Sequence, residues 1–392
     1  MANANQNKKL LIIHGGGPTA VMNSSLYGVI KAAKKNAEIT QILGAKNGTN
    51  AVLEKDFIDL SQLTDIELSR LLTTPGTVIG SSRHPLDDAV FEKMVDKLIE
   101  EEIAYVIFNG GNGTMGACGK LHLAIQKKGS AIQVIGIPKT IDNDLAVIDH
   151  APGFGSAARY LAQTVREIGL DVESLPIHIT VIEAMGRNAG WLTAASSLAR
   201  TDQLKAPHLI YLPERPFSEE QFLTDVKKLH EELGSGVVVV SEGLTKENGK
   251  PIVPPIFKTE RATYYGEVGS YLANLIIQKL GIKARSEKPG LAGRCSISHQ
   301  SLIDRAEAIE VGKFAVEGML AGVSGKMVGI FRTNTKNYDV KYEFIDVTQV
   351  MLVESYMPDA YINPLGNDVS EAFIEWVKPL VGSLEDNITI LK

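Results

Sequence analysis

Cysteine is scarce in this chain, which has two among 392 residues and no Cys-x-x-Cys pair or cysteine/histidine cluster at zinc-ligand spacing. A disulfide framework and a structural zinc site are therefore excluded, and Cys118 and Cys295 are expected to be buried or incidental thiols. Long apolar runs are also missing: none approaches the roughly 20 residues that a bilayer span needs, and residues 1–9 lack the apolar core of a signal peptide. These absences predict a cytoplasmic protein.

Excess positive charge is missing as well. The chain has 40 Lys and Arg against 46 Asp and Glu, a formal net charge of −6, with no basic stripe. Nucleic-acid binding needs clustered cations for many phosphates, so we expect neither a nucleic-acid nor a membrane partner. A small anionic ligand remains compatible, because a few local cations suffice. The hydrophobic fraction of 44% and the length indicate a globular protein of two domains.

Glycine is abundant, with 36 residues that cluster directly after apolar runs. Residues 10–13, 104–108 and 132–137 read as buried strands, and helical patterns follow over 21–35 and 115–126. The second half repeats this alternation, with strands at 179–182, 208–212 and 236–240, a helix that ends at 198 and another over 266–280. Continuous apolar strands alternating with helices predict an α/β fold of two Rossmann-like domains, with mainly parallel sheets facing each other across a cleft.

Two glycine turns connect strands to helices in the first half, at residues 15–17 and 110–113. Glycine lets the backbone approach a phosphate closely, and the following helix start supplies free N–H groups and partial positive charge. Two such turns in one domain indicate a polyphosphate ligand.

The segment from Gly111 to Gly116 also fits Gly-x-Gly-x-x-Gly, the dinucleotide-binding pattern. A nicotinamide-dependent oxidoreductase is therefore the alternative from a different enzyme class. That pattern expects an acidic residue at the tip of the next strand, whereas this chain has Lys139 there, and a cation suits phosphate better than a ribose diol.

An acidic loop follows the third strand. Asp142 and Asp144 could act as a general base and a metal-proximal carboxylate, with Lys139 neutralising a transferred group. The alternative is an Asx-type turn that caps the next helix. The residue pattern by itself leaves both open.

Several motifs together resemble the phosphofructokinase family across essentially the whole chain. They are Gly15-Gly16-Gly17 with Met22-Asn23, Gly110-Gly111-Asn112-Gly113-Thr114, Pro138-Lys139-Thr140-Ile141-Asp142-Asn143-Asp144, Pro152-Gly153-Phe154-Gly155-Ser156-Ala157, Glu183-Ala184-Met185-Gly186-Arg187, Ser241-Glu242-Gly243 and the stretch from Arg285 to Arg294. The chain looks most similar to the branch that holds many pyrophosphate-dependent members, which typically also carry a lysine at the position of Lys139.

The resemblance implies phosphoryl transfer from a polyphosphate donor to the 1-hydroxyl of fructose 6-phosphate, with Mg²⁺ as cofactor. It implies three groups of residues: a catalytic set of Asp142, Thr140, Asp144 and Arg187; a donor set of Gly16, Arg83, Gly111, Asn112, Gly113, Thr114 and Lys139; and a sugar set of Met185, Gly186, Arg187, Glu242, His178, Arg285 and Arg294. Asn112 and Asp144 would lie nearest the metal. Positioning and charge neutralisation of this kind are what phosphoryl transfer requires.

Four positions depart from the family's usual residues. Asn112 replaces an aspartate expected near magnesium, and Gly113 replaces an aspartate typical of pyrophosphate users. Because a glycine at 113 removes the bulk and charge that would block a nucleotide, we expect ATP as donor, with pyrophosphate as the alternative. His178 and Leu291 replace an arginine and a histidine that hold the sugar phosphate, so a related ketose with another C6 anion is an alternative acceptor.

The resemblance also implies an organisation. Residues 1–153 would form a donor-binding domain, joined by part of the C-terminal region, and residues 154–290 a sugar-phosphate domain, with the Gly- and Ser-containing segment 153–156 as the crossing. Residues 291–392 would contain the chain return and a C-terminal extension. Since relatives reach part of the sugar-phosphate site from a neighbouring subunit, we expect a homodimer or homotetramer.

Overall fold

The chain divides into two units, one of Met1–Ser156 with Arg294–Ser355 and one of Ala157–Gly293 with Tyr356–Lys392. The structure is a computed structural model, and it describes residues 8–83, 86–258, 263–334, 337–351, 353–384 and 388–389. Residues 1–7 of the polar N-terminal segment and the end of the C-terminal extension lie outside the described residues. No helix within the described ranges is both long and apolar enough to cross a membrane.

The strands are β1 (Lys8–His14), β2 (Ile39–Ala45), β3 (Phe57–Asp59), β4 (Ile103–Gly110), β5 (Gln133–Pro138), β6 (Ile179–Ala184), β7 (Leu209–Tyr211), β8 (Gly236–Ser241), β9 (Pro255–Lys258), β10 (Thr263–Tyr265), β11 (Ala284–Glu287), β12 (Lys326–Asn334) and β13 (Asp339–Asp346). The α-helices are α1 (Met22–Ala33), α2 (Asn50–Glu54), α3 (Asp65–Leu71), α4 (Asp88–Glu100), α5 (Asn112–Lys127), α6 (Phe154–Ser174), α7 (Trp191–Ala195), α8 (Glu219–Leu233), α9 (Val268–Leu280), α10 (Ala292–Cys295), α11 (Leu302–Leu320) and α12 (Glu371–Val381).

The first unit is built on a seven-stranded sheet in the order β13-β12-β5-β4-β1-β2-β3. Its five central strands run parallel, while β3 and β13 pair antiparallel at the two edges. The apolar run of β1 is buried on both faces, with Leu11 and Ile13 in one core and Leu10 and Ile12 in the other. This confirms the predicted α/β class with a mainly parallel sheet.

Helices α1 and α11 pack closely on one face of this sheet, and paired glycines allow the approach. A Cβ atom built on Gly28 would lie 2.1 Å from the carbonyl oxygen of Ile309, and one built on Gly312 would lie 2.3 Å from that of Ser25. Neither position tolerates a side chain without moving a backbone. The first unit therefore depends on α11, which comes from the late part of the chain.

The second unit has an entirely parallel four-stranded sheet in the order β11-β6-β8-β7. Helices α8 and α9 contribute to its core. The C-terminal helix α12 packs its aromatic residues around the buried Trp191, with ring centroids 4.8 Å apart for Trp376 and 6.5 Å for Phe373. These ring contacts join α7 to α12 within the second unit.

Three details of the structure are finer than the sequence-based expectations. The helix predicted to end at residue 198 is the short α7, continued by one 3₁₀ turn over Ser196–Ala199. The units part between Ser156 and Ala157, inside α6. The segment 291–392 is divided between the units, because β12 and β13 complete the first sheet whereas α12 packs in the second unit.

Candidate active site

The strand order of the first unit creates a binding crevice at the carboxyl ends of β1 and β4. From β1 the chain continues to β2 on one side, whereas β4 and β5 lie on the other side. Such a reversal of strand order leaves a crevice beyond the strand ends, where ligands bind in open α/β sheets. The pairs His14↔Asn109 and Gly110↔Pro138 align these ends, so the two glycine turns and the acidic loop follow strands that end at the same edge of the sheet.

Thr114 fills the space between the two glycine turns. A Cβ built on Gly15 would lie 2.3 Å from Thr114 Oγ1, and one built on Gly110 would lie 2.2 Å from the same atom. Any side chain at either glycine would displace this buried threonine. Helix α5 begins at Asn112, so its first backbone N–H groups lie beside the turns. The arrangement is that of a phosphate-binding helix start.

Three cationic side chains gather at the first turn. The Nζ of Lys139, which is 3% exposed, donates a hydrogen bond to the Gly17 carbonyl oxygen at 2.7 Å. A Cβ built on Gly17 would lie 3.1 Å from Arg294 Nη1 and 3.3 Å from Arg83 Nη2. The resemblance places Arg294 in the sugar set, yet this residue lies in the first unit beside the donor residue Arg83.

The charge of Lys139 depends on its surroundings. Burial lowers the pKa of Lys139 to about 8, the negative charges of Asp142 and Asp144 oppose that shift, and the positive charges of Arg83 and Arg294 add to it. The lysine is therefore mostly protonated at pH 7 but close to losing its proton. A bound polyanion would raise this pKa and be held by the resulting charge.

The acidic loop after β5 is tied together by Thr140. The Thr140 hydroxyl donates to Asp144 Oδ1 at 2.9 Å and accepts the backbone N–H of Asp142 at 3.1 Å. The alternative that these aspartates cap the next helix is wrong, because α6 begins only at Phe154. The N–H groups around that helix start are held by Asp304 instead, at 2.8 Å from the nitrogen of Gly153 and 2.9 Å from that of Ser156.

The residues expected near magnesium are in contact. Asn112 Nδ2 donates to the backbone oxygen of Asp144 at 3.0 Å and to its Oδ2 at 3.3 Å, while Asn112 Oδ1 is buried without a partner among the described residues. No cluster of three His, Cys, Asp or Glu residues that could hold a metal occurs in the described part of the chain. One carboxylate and one free amide oxygen fit Mg²⁺, which usually takes its other ligands from substrate phosphates and water.

In the second unit, the sugar residues follow two neighbouring strands. Met185, Gly186 and Arg187 follow β6, and Glu242 follows β8. The Ser241 hydroxyl donates to the Gly186 carbonyl at 2.7 Å, and the backbones approach so closely that a Cβ on Gly243 would lie 1.6 Å from the Arg187 carbonyl oxygen. These contacts hold the two turns together.

Arg285 lies elsewhere in the same unit, on the edge strand β11. It lines a groove of about 260 Å³ together with Glu167, Ile168, Asp171, Thr180 and Glu287. His178 is buried nearby, and both burial and the charges of Arg285 and Lys283 lower its pKa, so its imidazole is neutral at pH 7. Leu291, which stands where the family usually has a histidine, is 66% exposed, because its segment leaves the sheet after β11.

Two residues of the first unit escaped the sequence-based reasoning. His14 ends β1 with its Nδ1 2.6 Å from Thr77 Oγ1, and burial together with the Lys139 charge lowers its pKa to about 3, so it stays neutral. Asp304 holds the start of α6 from a position 148 residues beyond Ser156. The Ser-x-x-Asp spacing from Ser301 signals a helix start there, but no local pattern signals the distant partner.

Comparisons with known proteins agree on the family. The phosphofructokinase family model matches residues 9–319. The chain is 36% identical over 384 residues to pyrophosphate–fructose 6-phosphate 1-phosphotransferase of Rhodospirillum rubrum, covering 95% of this chain and 94% of that protein. It is 34% identical over 381 residues to sulfofructose kinase of Alkalicoccus urumqiensis, covering 95% of both.

A solved structure extends this similarity to three dimensions. Pyrophosphate-dependent phosphofructokinase from Marinobacter aquaeolei superposes with a TM-score of 0.87 at 32% identity, covering 98% of this chain and 95% of that one. These matches leave the nicotinamide-dependent oxidoreductase without support, and Lys139 gives the physical reason: a buried cation occupies the strand tip where a ribose-binding acid would be needed. The chain is an enzyme of the phosphofructokinase family.

Proposed function

We propose that this enzyme transfers a phosphoryl group from pyrophosphate to the 1-hydroxyl of fructose 6-phosphate. The observation that carries the proposal is the buried Lys139, fixed on the Gly17 carbonyl with Arg83 and Arg294 against the same turn. Such a concentrated positive site suits a small, highly charged anion. Pyrophosphate has that character, since its negative charge is confined to two phosphoryl groups.

In this proposal, Asp142 accepts the proton of the sugar's 1-hydroxyl while that oxygen attacks the nearer phosphorus of pyrophosphate. The bridging P–O bond breaks, and orthophosphate leaves with the electron pair. Lys139 and Arg83 neutralise the charge on the transferred and leaving groups. Met185, Gly186, Arg187 and Glu242 bind the sugar. Mg²⁺, when bound by Asp144 and Asn112, would add charge neutralisation at the phosphate oxygens.

The donor inferred from Gly113 needs revision, because the names of two similar relatives do not support ATP. The proteins from R. rubrum and, at 35% identity, from Xanthomonas campestris carry pyrophosphate in their names. An unobstructed position permits a nucleotide but does not attract one. The buried ammonium of Lys139, in contrast, attracts any compact polyphosphate, so we give it the greater weight.

ATP remains the second candidate donor, and one observation favours it. A Cβ built on Gly113 would meet no atom within 4 Å, so there is open space beside the start of α5. A nucleotide extending beyond its β- and γ-phosphates would find room there. If the space at Gly113 determines which donor the enzyme uses, the donor is ATP. If the charge of Lys139 determines it, the donor is pyrophosphate.

The acceptor has an alternative of its own. One relative is named for sulfofructose, whose C6 group is a sulfonate with a single negative charge. In the second unit, Arg285 shares its groove with three carboxylates and the neighbouring His178 is neutral. Arg285 is the one cation among the described residues that line this groove, and its single charge can pair with either a C6 phosphate or a C6 sulfonate. We retain fructose 6-phosphate as the first acceptor to test, with the sulfonate analogue beside it.

Two variants separate the candidate donors. We expect Lys139→Met to lower kcat/KM for pyrophosphate by at least ~10²-fold, because a charge-assisted contact to the transferred group is lost. Lys120→Met, which removes an exposed cation of α5, is the matched control and should leave kcat/KM unchanged. Gly113→Asp should suppress any activity with ATP far more than activity with pyrophosphate. Wild-type enzyme that turns over only ATP would overturn the donor assignment.

A further inference from the structure

Helix α11 carries two buried acids that the proposed chemistry does not use. Asp304 is 3% exposed and Glu307 is 5% exposed, and the two lie one turn apart near the helix start. Buried carboxylates cost free energy unless they are well paired, so a pair on one helix face calls for a role.

Asp304 accepts hydrogen bonds from the residues around the start of α6. Its Oδ1 accepts the Gly153 N–H at 2.8 Å, and its Oδ2 accepts the Ser156 N–H at 2.9 Å and the Ser156 hydroxyl at 2.5 Å. Burial raises the pKa of Asp304 to about 6, and the negative charge of Glu307 adds to this shift. Because this pKa is still below 7, the carboxyl is ionised at neutral pH. In that state it can only accept hydrogen bonds, and three donors satisfy it.

Glu307, one turn further along α11, contacts the other end of the loop that leads into α6. Its Oε2 lies 2.7 Å from His150 Nε2, and the Tyr338 hydroxyl donates to its Oε1. The other ring nitrogen of His150, Nδ1, lies 2.8 Å from Asp149 Oδ2. The two acids of α11 therefore hold both ends of residues 150–156.

This loop in turn braces the acidic loop after β5. The Thr140 N–H donates to the Pro152 carbonyl at 3.1 Å, and the Ala151 N–H donates to Asn143 Oδ1 at 3.0 Å. Asn143 is buried and has a φ of +53°, a left-handed conformation that needs such support outside glycine. Asp142 lies between these two anchored residues.

We propose that Asp304 and Glu307 are positioning residues, which fix the loop 150–156 on α11 and through it hold Asp142 in its reactive geometry. The proposal rests on the proposed role of Asp142 as the base. A displacement of about 1 Å can lower a rate ~10²-fold, so a distant anchor can control kcat without touching a substrate.

The test compares Asp304→Asn and Glu307→Gln with Glu310→Gln. The control, Glu310→Gln, changes an exposed acid on the same helix. Within the described part of the chain, Glu310 forms a salt bridge only with Lys313. We expect Asp304→Asn to lower kcat by about 10- to 100-fold, because one carboxylate oxygen is replaced by an amide nitrogen, which cannot accept the hydrogen bonds made there. KM for both substrates should change less than about threefold. Glu307→Gln should give a smaller loss of kcat, and Glu310→Gln should match the wild type.

Amide hydrogen exchange separates failure of this proposal from failure of the proposed function. Asp304→Asn should speed exchange in residues 140–145 while leaving β6 and β8 protected, whatever the role of Asp142. Should Asp304→Asn not fold, Ser156→Ala, which removes the 2.5 Å hydrogen bond, should show the same exchange pattern with a smaller loss of kcat. Unchanged exchange at 140–145 in the folded variants, or a loss that appears only in KM, overturns the proposal.

Discussion

At the scale of single residues, the donor site illustrates which roles a sequence reveals. The glycines before α1 and α5, Lys139 and the acidic loop could all be identified because each follows a strand in the chain. The gathering of Arg294 with Arg83 could not, since Arg294 comes from a segment more than 200 residues later and only the folded unit brings its guanidinium to Gly17. The local sequence pattern predicts the glycine turns. Only the tertiary fold determines which charged side chains from distant segments lie beside those turns.

Asp142 is the residue on which the proposed chemistry depends. We expect Asp142→Asn to lower kcat by at least ~10²-fold, because an amide cannot accept the hydroxyl proton. The backbone hydrogen bond from residue 142 to Thr140 Oγ1 does not involve the carboxylate, so the fold should persist. Steady-state kinetics with circular dichroism as a folding control checks this, and near wild-type turnover would make Asp142 a structural turn residue.

At the scale of elements, three parallel strands of the first unit were predictable from the sequence, whereas β2, β12 and the two edge strands were not. The apolar runs at 10–13, 104–108 and 132–137 correspond to β1, β4 and β5, because strands buried on both faces need continuous apolar residues. The hairpin of β12 and β13 was missed, since β13 alternates exposed and partly buried residues and includes several charges. Its place is set by pairing with β12, a contact that no local pattern encodes.

The loop between β5 and α6 gives a pH-dependent prediction. Burial alone would lower the pKa of His150, but the charge of Glu307 and hydrogen bonds with Asp149 and Glu307 raise it to about 9, above its ordinary 6.5. A raised folded pKa stabilises the fold fully below about pH 6.5, and this stabilisation is lost as pH rises through about 9.

We therefore expect the stability advantage of wild type over His150→Gln to shrink between pH 6 and pH 9.5, by up to about 3 kcal/mol. Urea unfolding of both proteins at the two pH values measures the difference. An advantage that stays constant across this range would mean that the pKa of His150 is the same in the folded and the unfolded protein.

At the scale of the whole molecule, subunit exchange tests the expected homo-oligomer. If Arg285 completes the site of a neighbouring subunit, Asp142→Asn and Arg285→Ala should each be strongly impaired alone. Hybrids formed by refolding them together should then contain intact sites. For a dimer mixed equally, about a quarter of wild-type activity should return. Light scattering gives the assembly size, and an active monomer or the absence of complementation would contradict a shared site.

Competition between pyrophosphate and ATP for the same acceptor shows which of them donates the phosphoryl group. Wild-type enzyme receives fructose 6-phosphate, magnesium and equal concentrations of pyrophosphate and ATP, and phosphorus NMR follows each phosphorus resonance. We expect the pyrophosphate signal to fall as orthophosphate and a sugar 1-phosphate signal rise, with ATP unchanged. Depletion of ATP with formation of ADP while pyrophosphate persists would show that ATP, not pyrophosphate, is the donor.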